Sequence, residues 1–230
     1  MVALALRIPR NRAVYRLLPG MGADRGDDYR TLTIGSELTR ILRWQLSGSP
    51  DDYPSGISAE WVGDPHGRPV ELATGATEAP IVSSRIADLH RADFEAAGSL
   101  LPLCIDGVQS SQWLLFLVEA VVDCLDVPNS SEPEWDGTIR TAVFRADAVP
   151  ADLPAFRVPQ STKVYWTGWA VDRLVGLVGV DLEARLVWSE DAARTPIPTR
   201  GPSDAECRIR PAACPRGPVG LVVRTLASAA

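Results

Sequence analysis

An α+β fold, with a mostly antiparallel sheet and a few short helices packed on it, is what this sequence predicts, and three observations carry the prediction. Between Ser84 and Gly98 the apolar residues fall at helical intervals. Directly after them, residues 100–105 and 112–122 are two apolar runs flanking a polar turn, the pattern of an antiparallel hairpin. Further strand-like runs lie on both sides with helices set apart from them, which does not fit a repeating βαβ order.

Residues 13–18 open the fold as a short strand, and residues 19–28 are turn-rich. Across residues 32–46 aliphatic side chains occur at both strand and helix spacings, so the two structures compete. Residues 47–58 gather Gly, Pro, Ser and Asp and read as a loop, with two short strands at 58–62 and 69–72. The helix from Ser84 begins at a serine cap, lines up Ile86, Leu89, Phe94 and Ala97, and closes at Gly98. Residues 106–111 are the hairpin turn. An acidic loop at 130–137 leads to an alternating, strand-like stretch at 138–144. Three prolines make 149–159 irregular. A strand at 164–166, a helix at 169–177 and a strand at 180–188 complete a single domain spanning 13–193. The remainder, 194–230, is a tail that composition predicts to be disordered: residues 195–218 hold six prolines, two glycines and four arginines with few large apolar side chains.

The chain has 230 residues, 46% hydrophobic and 23% charged, enough to bury a sizeable core. The apolar run at 2–6 precedes the arginines instead of following them, which is not the order of a secretory signal and predicts a cytoplasmic location. The longest apolar stretch, 113–122, is interrupted by Glu119 and is far short of the ~20 residues that a spanning helix needs, so no membrane association is expected. Residues 1–12 carry +3 and residues 194–230 carry +4, so the net charge of −6 leaves −13 on residues 13–193. So acidic a body repels a phosphate backbone and attracts a basic protein, which excludes nucleic acid and favours a cationic protein partner. Solubility is the other account of the same excess.

No catalytic signature is present: a G-x-S-x-G elbow, a phosphate-binding glycine loop and an H-E-x-x-H metal site are all missing. Cys104 and Cys124 sit in apolar runs as buried thiols do, Cys207 and Cys214 are widely spaced in the tail, and the histidines are His66 and His90, so neither metal nor cofactor is expected. In an extended strand Glu119 and Asp123 share a face ~13 Å apart at ~3.3 Å per residue, too far for a shared proton or a tight metal pair. Asp126 would lie on the other face. A small hydrolase or modifying enzyme using Asp123, Cys124 and His90 is the alternative reading, and a ligand-binding regulatory module is a further one. Residues 119–136 contain six acids, Glu119, Asp123, Asp126, Glu132, Glu134 and Asp136, and no basic residue. Trp135 stands among them. An indole flanked by carboxylates suits a partner hot spot, and an indole folded back onto its own domain is the bland equivalent.

Two separated blocks carry a resemblance. The first runs Pro80-Ile81-Val82-Ser83-Ser84-Arg85-Ile86-Ala87-Asp88-Leu89, then Leu101-Pro102-Leu103-Cys104-Ile105-Asp106, then Val121-Val122-Asp123-Cys124-Leu125-Asp126. The second runs Lys163-Val164-Tyr165-Trp166-Thr167-Gly168-Trp169, then Gly176-Leu177-Val178-Gly179-Val180 and Arg185-Leu186-Val187-Trp188. In order and spacing the set resembles the bacterial polymorphic-toxin immunity proteins of family eleven, the myxobacterial type. That resemblance implies a non-enzymatic protein that binds and neutralises a cognate toxin. The acidic segment, with Glu119, Asp123, Asp126, Glu132, Glu134, Trp135 and Asp136, is the expected interface.

Overall fold

Apolar alternation, caps and tight turns divide the chain into strands β1 (Ala13–Pro19) and β2 (Tyr29–Ile34), helix α1 (Leu38–Ser47), and strands β3 (Ser58–Gly63), β4 (Arg68–Pro69), β5 (Leu72–Thr74) and β6 (Pro80–Ser83). Helices α2 (Ser84–Leu89) and α3 (Arg91–Ala97) follow, then β7 (Gly98–Ile105), β8 (Val108–Val118), β9 (Ala155–Phe156), β10 (Tyr165–Thr167), helix α4 (Gly168–Val178) and β11 (Leu182–Ser189). The computed structural model describes residues 12–19, 29–35, 37–74, 79–159 and 161–191. Residues 20–28 of the expected turn and the expected disordered tail lie outside the described residues.

The fold is α+β, but its sheets are not simply antiparallel. One sheet of four strands, ordered β11-β1-β10-β9, is antiparallel throughout. The other, of seven strands ordered β4-β2-β3-β7-β8-β6-β5, is mixed, because β4 runs parallel to β2 and β3 runs parallel to β7. Alternation in a sequence reports which face a side chain takes, not the direction of the neighbouring strand.

Strand β8 shows how the sheets are packed. Trp113, Leu115 and Leu117 join Leu32, Ile34, Ala59, Ile81 and Leu103 in a cluster that includes Ile41 and Trp44 of α1. The intervening Phe116 and Val118 join Phe94 of α3, Trp166 of β10 and Leu174 of α4 in a second cluster. A strand covered on both faces needs apolar residues at every position, which is why 113–118 reads as an unbroken apolar run. A third cluster lies on the far side of β10, where Tyr165, Phe156 and Val14 meet Cys124, Leu125, Ile139, Ala142 and Phe144. Each fully buried large apolar side chain contributes about 1.5–3 kcal/mol, so these clusters hold the long segment 121–149 on the sheet with few regular hydrogen bonds of its own.

Several boundaries differ from those expected. The helix from Ser84 is two helices: Ser83 Oγ accepts the Ile86 N–H at 3.3 Å as the cap, and the chain breaks at His90, which leaves Leu89 exposed. The hairpin turn is two residues long. Asp106 and Gly107 have φ of 53° and 78°, both left-handed, and Ile105 pairs directly with Val108. This is the turn type whose twist matches the flanking strands. The polar residues 109–112 are thus an exposed strand end projecting beyond the core. Strand β8 stops at Val118 instead of continuing to 122, because the N–H groups of Glu119 and Ala120 both donate to Ala97 O, each at 2.9 Å. The expected strand at 138–144 is not one: Phe144 forms a single bridge with Leu125.

Candidate functional site

The end of β8 is where the acidic segment leaves the sheet, and a buried cation fixes it there. Arg157 is 3% exposed; its Nε donates to Val118 O at 2.8 Å, its Nη1 donates to Gln45 O at 2.6 Å, and its guanidinium lies 4.7 Å over the Trp44 ring. Burial pushes its pKa down to about 10, with Glu119 opposing the shift, so it stays charged at neutral pH. The Arg157 backbone also donates to Ala120 O and accepts from the Val122 N–H, both at 2.8 Å. One residue therefore ties β8, α1 and the start of the acidic segment together.

From there the segment folds back on itself. The N–H of Arg145 donates to Cys124 O, that of Asp126 to Val143 O, and that of Ser131 to Thr141 O. At the tip, the Glu134 N–H donates to Thr138 O at 2.8 Å and the Gly137 N–H donates to Glu134 O at 2.9 Å. Gly137 has φ of 78°, a conformation that glycine adopts without strain, so Trp135 and Asp136 occupy the two central positions of a tight turn. The turn is braced from below and within. Ser161 Oγ donates to Gly137 O at 2.9 Å and Thr162 Oγ1 donates to Asp136 O at 2.8 Å, both from buried side chains. The Asp136 carboxylate accepts the Thr138 N–H and hydroxyl, each at 2.9 Å. Ile139, Ala142 and Phe144 hold the returning limb in the core.

Trp135, at the corner of this turn, is 94% exposed. It does not fold back onto the domain. Glu132, two residues before the turn, is exposed. Glu134 is paired with Arg140 at 2.7 Å, Asp123 with Arg145 at 3.4 Å, and Asp126 accepts from Asn129 at 2.8 Å. Glu119 serves the sheet instead, its Oε1 accepting from Tyr53 at 2.7 Å and from Ser99 at 2.6 Å. The structure thus gathers Glu134, Trp135 and Asp136 on one rigid turn and sets Glu119 apart as a support. It also supplies cations that the segment itself lacks, Arg140 and Arg145. The Asp136-Gly137 dipeptide is the signal that would have found Arg140, because a turn there folds the following limb back beside Glu134.

Burial raises the Asp136 pKa, but the Thr138 hydrogen bonds and the charge of Lys163 outweigh it and hold the carboxyl below its ordinary value. A carboxyl lowered in the folded state adds stability that is complete above its unfolded pKa and is lost as pH falls through its folded one. Asp136→Asn is therefore expected to lower the urea midpoint at pH 7 and to converge with the wild type as pH drops below the carboxylate range. Denaturation at a series of pH values between neutral and acid checks this.

The residues of the enzymatic reading are not assembled. Cys124 is fully buried in the outer cluster, and burial pushes its thiol up to about 12. His90 lies against Phe94 in a different layer, with Nδ1 3.2 Å from Asp93, which also accepts from Arg173 at 2.9 Å. Among the described residues no group of three His, Cys, Asp or Glu side chains is placed to hold a metal ion, and no helix is long and apolar enough to cross a membrane. No family model matches this chain, and no curated protein matches it.

Proposed function

We propose that this chain is an immunity-type inhibitor that acts in the cytoplasm, binding a cognate basic toxin through a protein interface and neutralising it without catalysis. The observation that supports this reading most is the placement of Trp135, fully presented to solvent on a braced turn among carboxylates. Large aromatic side chains are normally buried, and exposed ones within a charged rim are favoured as binding anchors. The acidic body, −13 over residues 13–193, adds a long-range field that draws in a cationic protein and repels nucleic acid. Membership of residues 80–126 and 163–190 in the immunity proteins of family eleven is part of the same proposal. No cofactor, metal or membrane enters this function.

The test is co-expression with each adjacent-gene product that is toxic when expressed alone, scored by host survival and by co-purification. The expected outcome is rescue together with a stable complex. Reversing Glu132, Glu134 and Asp136 to lysine together is expected to abolish both while the variant remains folded. Rescue by that variant at wild-type affinity would place the interface elsewhere.

A further inference from the structure

We infer that the Trp135 turn is a preformed plug: its indole enters an apolar slot on the partner, and a lysine or arginine at the rim of that slot takes Glu134 over from Arg140. The inference rests on the partner-binding reading above and specifies how that face recognises its target.

The turn is fixed before any partner arrives. Association normally costs the ordering of loops and long side chains, and a loop already fixed in its bound form escapes much of that cost. Residues 134–138 are fixed four times over, by the closing pair between Glu134 and Thr138, by the Gly137 N–H on Glu134 O, by the Asp136 carboxylate on Thr138, and by the buried hydroxyls of Ser161 and Thr162 on the turn carbonyls. The side chain this bracing presents most openly is an indole, 94% exposed, with the Glu134 carboxylate exposed beside it. The Trp135 side chain has only two rotatable bonds, so little freedom is left to lose on insertion.

Arg140 Nη2 lies 2.7 Å from Glu134 Oε1 and its Nε 3.3 Å away, with the arginine side chain 76% exposed. An exposed pair of this kind contributes little to folding and exchanges readily. It does, however, place a positive charge against the carboxylate beside Trp135, which a more strongly desolvated cation on the partner can replace. A cation at the rim of the slot can also lie over the indole face. The partner surface that fits is therefore an apolar depression bordered by lysine or arginine, not a flat basic patch.

Four variants of the full chain, Trp135→Ala, Arg140→Gln, Arg91→Gln and the triple lysine reversal, separate the possibilities when titrated against the adjacent-gene toxin that the co-expression test identifies. Arg91 is a charge-matched control because it pairs with Asp88 and Glu95 around α3, away from the turn. Trp135→Ala is expected to weaken binding about 30-fold or more, the size of a hot-spot truncation. Arg140→Gln is expected to strengthen binding up to about 5-fold, the equivalent of one exposed ion pair, and to exceed Arg91→Gln, which changes only the overall field. If the wild type binds and the triple reversal abolishes binding, but Trp135→Ala stays within about 3-fold of wild type, the plug is overturned and the acidic-interface reading stands. Arg140→Gln no tighter than Arg91→Gln would overturn the exchange of Glu134. Failure of the wild type itself to bind would remove the underlying reading.

Discussion

Arg157→Ala is expected to destabilise the fold by about 3–5 kcal/mol, the combined cost of two buried acceptors that each lose a charged hydrogen-bond donor. The substitution strands two carbonyls at once, Val118 O at the end of β8 and Gln45 O in the last turn of α1. Each was satisfied by a charged donor, and a helix C-terminus is stabilised by a nearby cation as well. It also empties the space above the Trp44 ring, where the guanidinium stacks. Arg157→Lys keeps the charge but not the forked donors or the flat stacking surface, so it is expected to recover only part of the loss. Urea denaturation followed by far-UV circular dichroism measures both. A loss below about 1 kcal/mol for the alanine variant would show that Arg157 is not the tie between sheet, helix and acidic segment.

Gly98→Ala is expected to be at least as damaging, for a purely steric reason. A methyl group at this position would stand 2.0 Å from Leu117 O in the partner strand and 2.9 Å from Glu119 N just beyond its end, both backbone atoms. Neither can move aside without breaking the pairing of Gly98 with Val118 and the donation of Glu119 and Ala120 N–H to Ala97 O. Its φ of 170° is extended backbone, so close approach and not torsion requires glycine here. Overpacking against side chains costs about 1–3 kcal/mol, and a clash with paired backbone exceeds that range. The expected result is loss of the cooperative unfolding transition, or a folded fraction recovered only at low temperature. The same position closes α3 and opens β7, so it also determines where the acidic segment departs from the sheet.

Legibility in the sequence followed the length of the apolar pattern. The helical region after Ser83, the β7–β8 hairpin, β10, α4 and β11 all declare themselves, because burial on one face or two leaves a period that survives in the chain. The break at His90 does not, since Leu89 keeps an apolar residue where the helix face would continue, yet its side chain is in solvent. Strand direction is equally silent, and the parallel pairing of β3 with β7 rests on two residue pairs only. The long segment 121–149 is hardest to read: it is held by scattered anchors, Cys124, Ile139, Phe144 and Val149, without a regular spacing. Arg157 shows the same difficulty in a single residue. Set in a proline-rich stretch, it looks like a surface arginine, and only the meeting of three distant segments buries it. For the candidate site, composition revealed the acids and the isolated Trp135. Which acids share a rigid turn, and which cations neutralise them, depended on the turn at Asp136-Gly137 and on the pairing of Cys124 with Arg145.

The central claim is stoichiometric inhibition by binding, and the measurement that tests it most directly is a titration of the toxin identified by co-expression, once purified, with this purified chain. Toxin activity is read against chain concentration, and both proteins are weighed by mass spectrometry afterwards. The account predicts a linear loss of activity that ends at a fixed molar ratio, with both masses unchanged and a complex that co-elutes on size exclusion. Activity abolished by catalytic amounts of the chain, a changed mass on the toxin, or full activity at excess chain would contradict it.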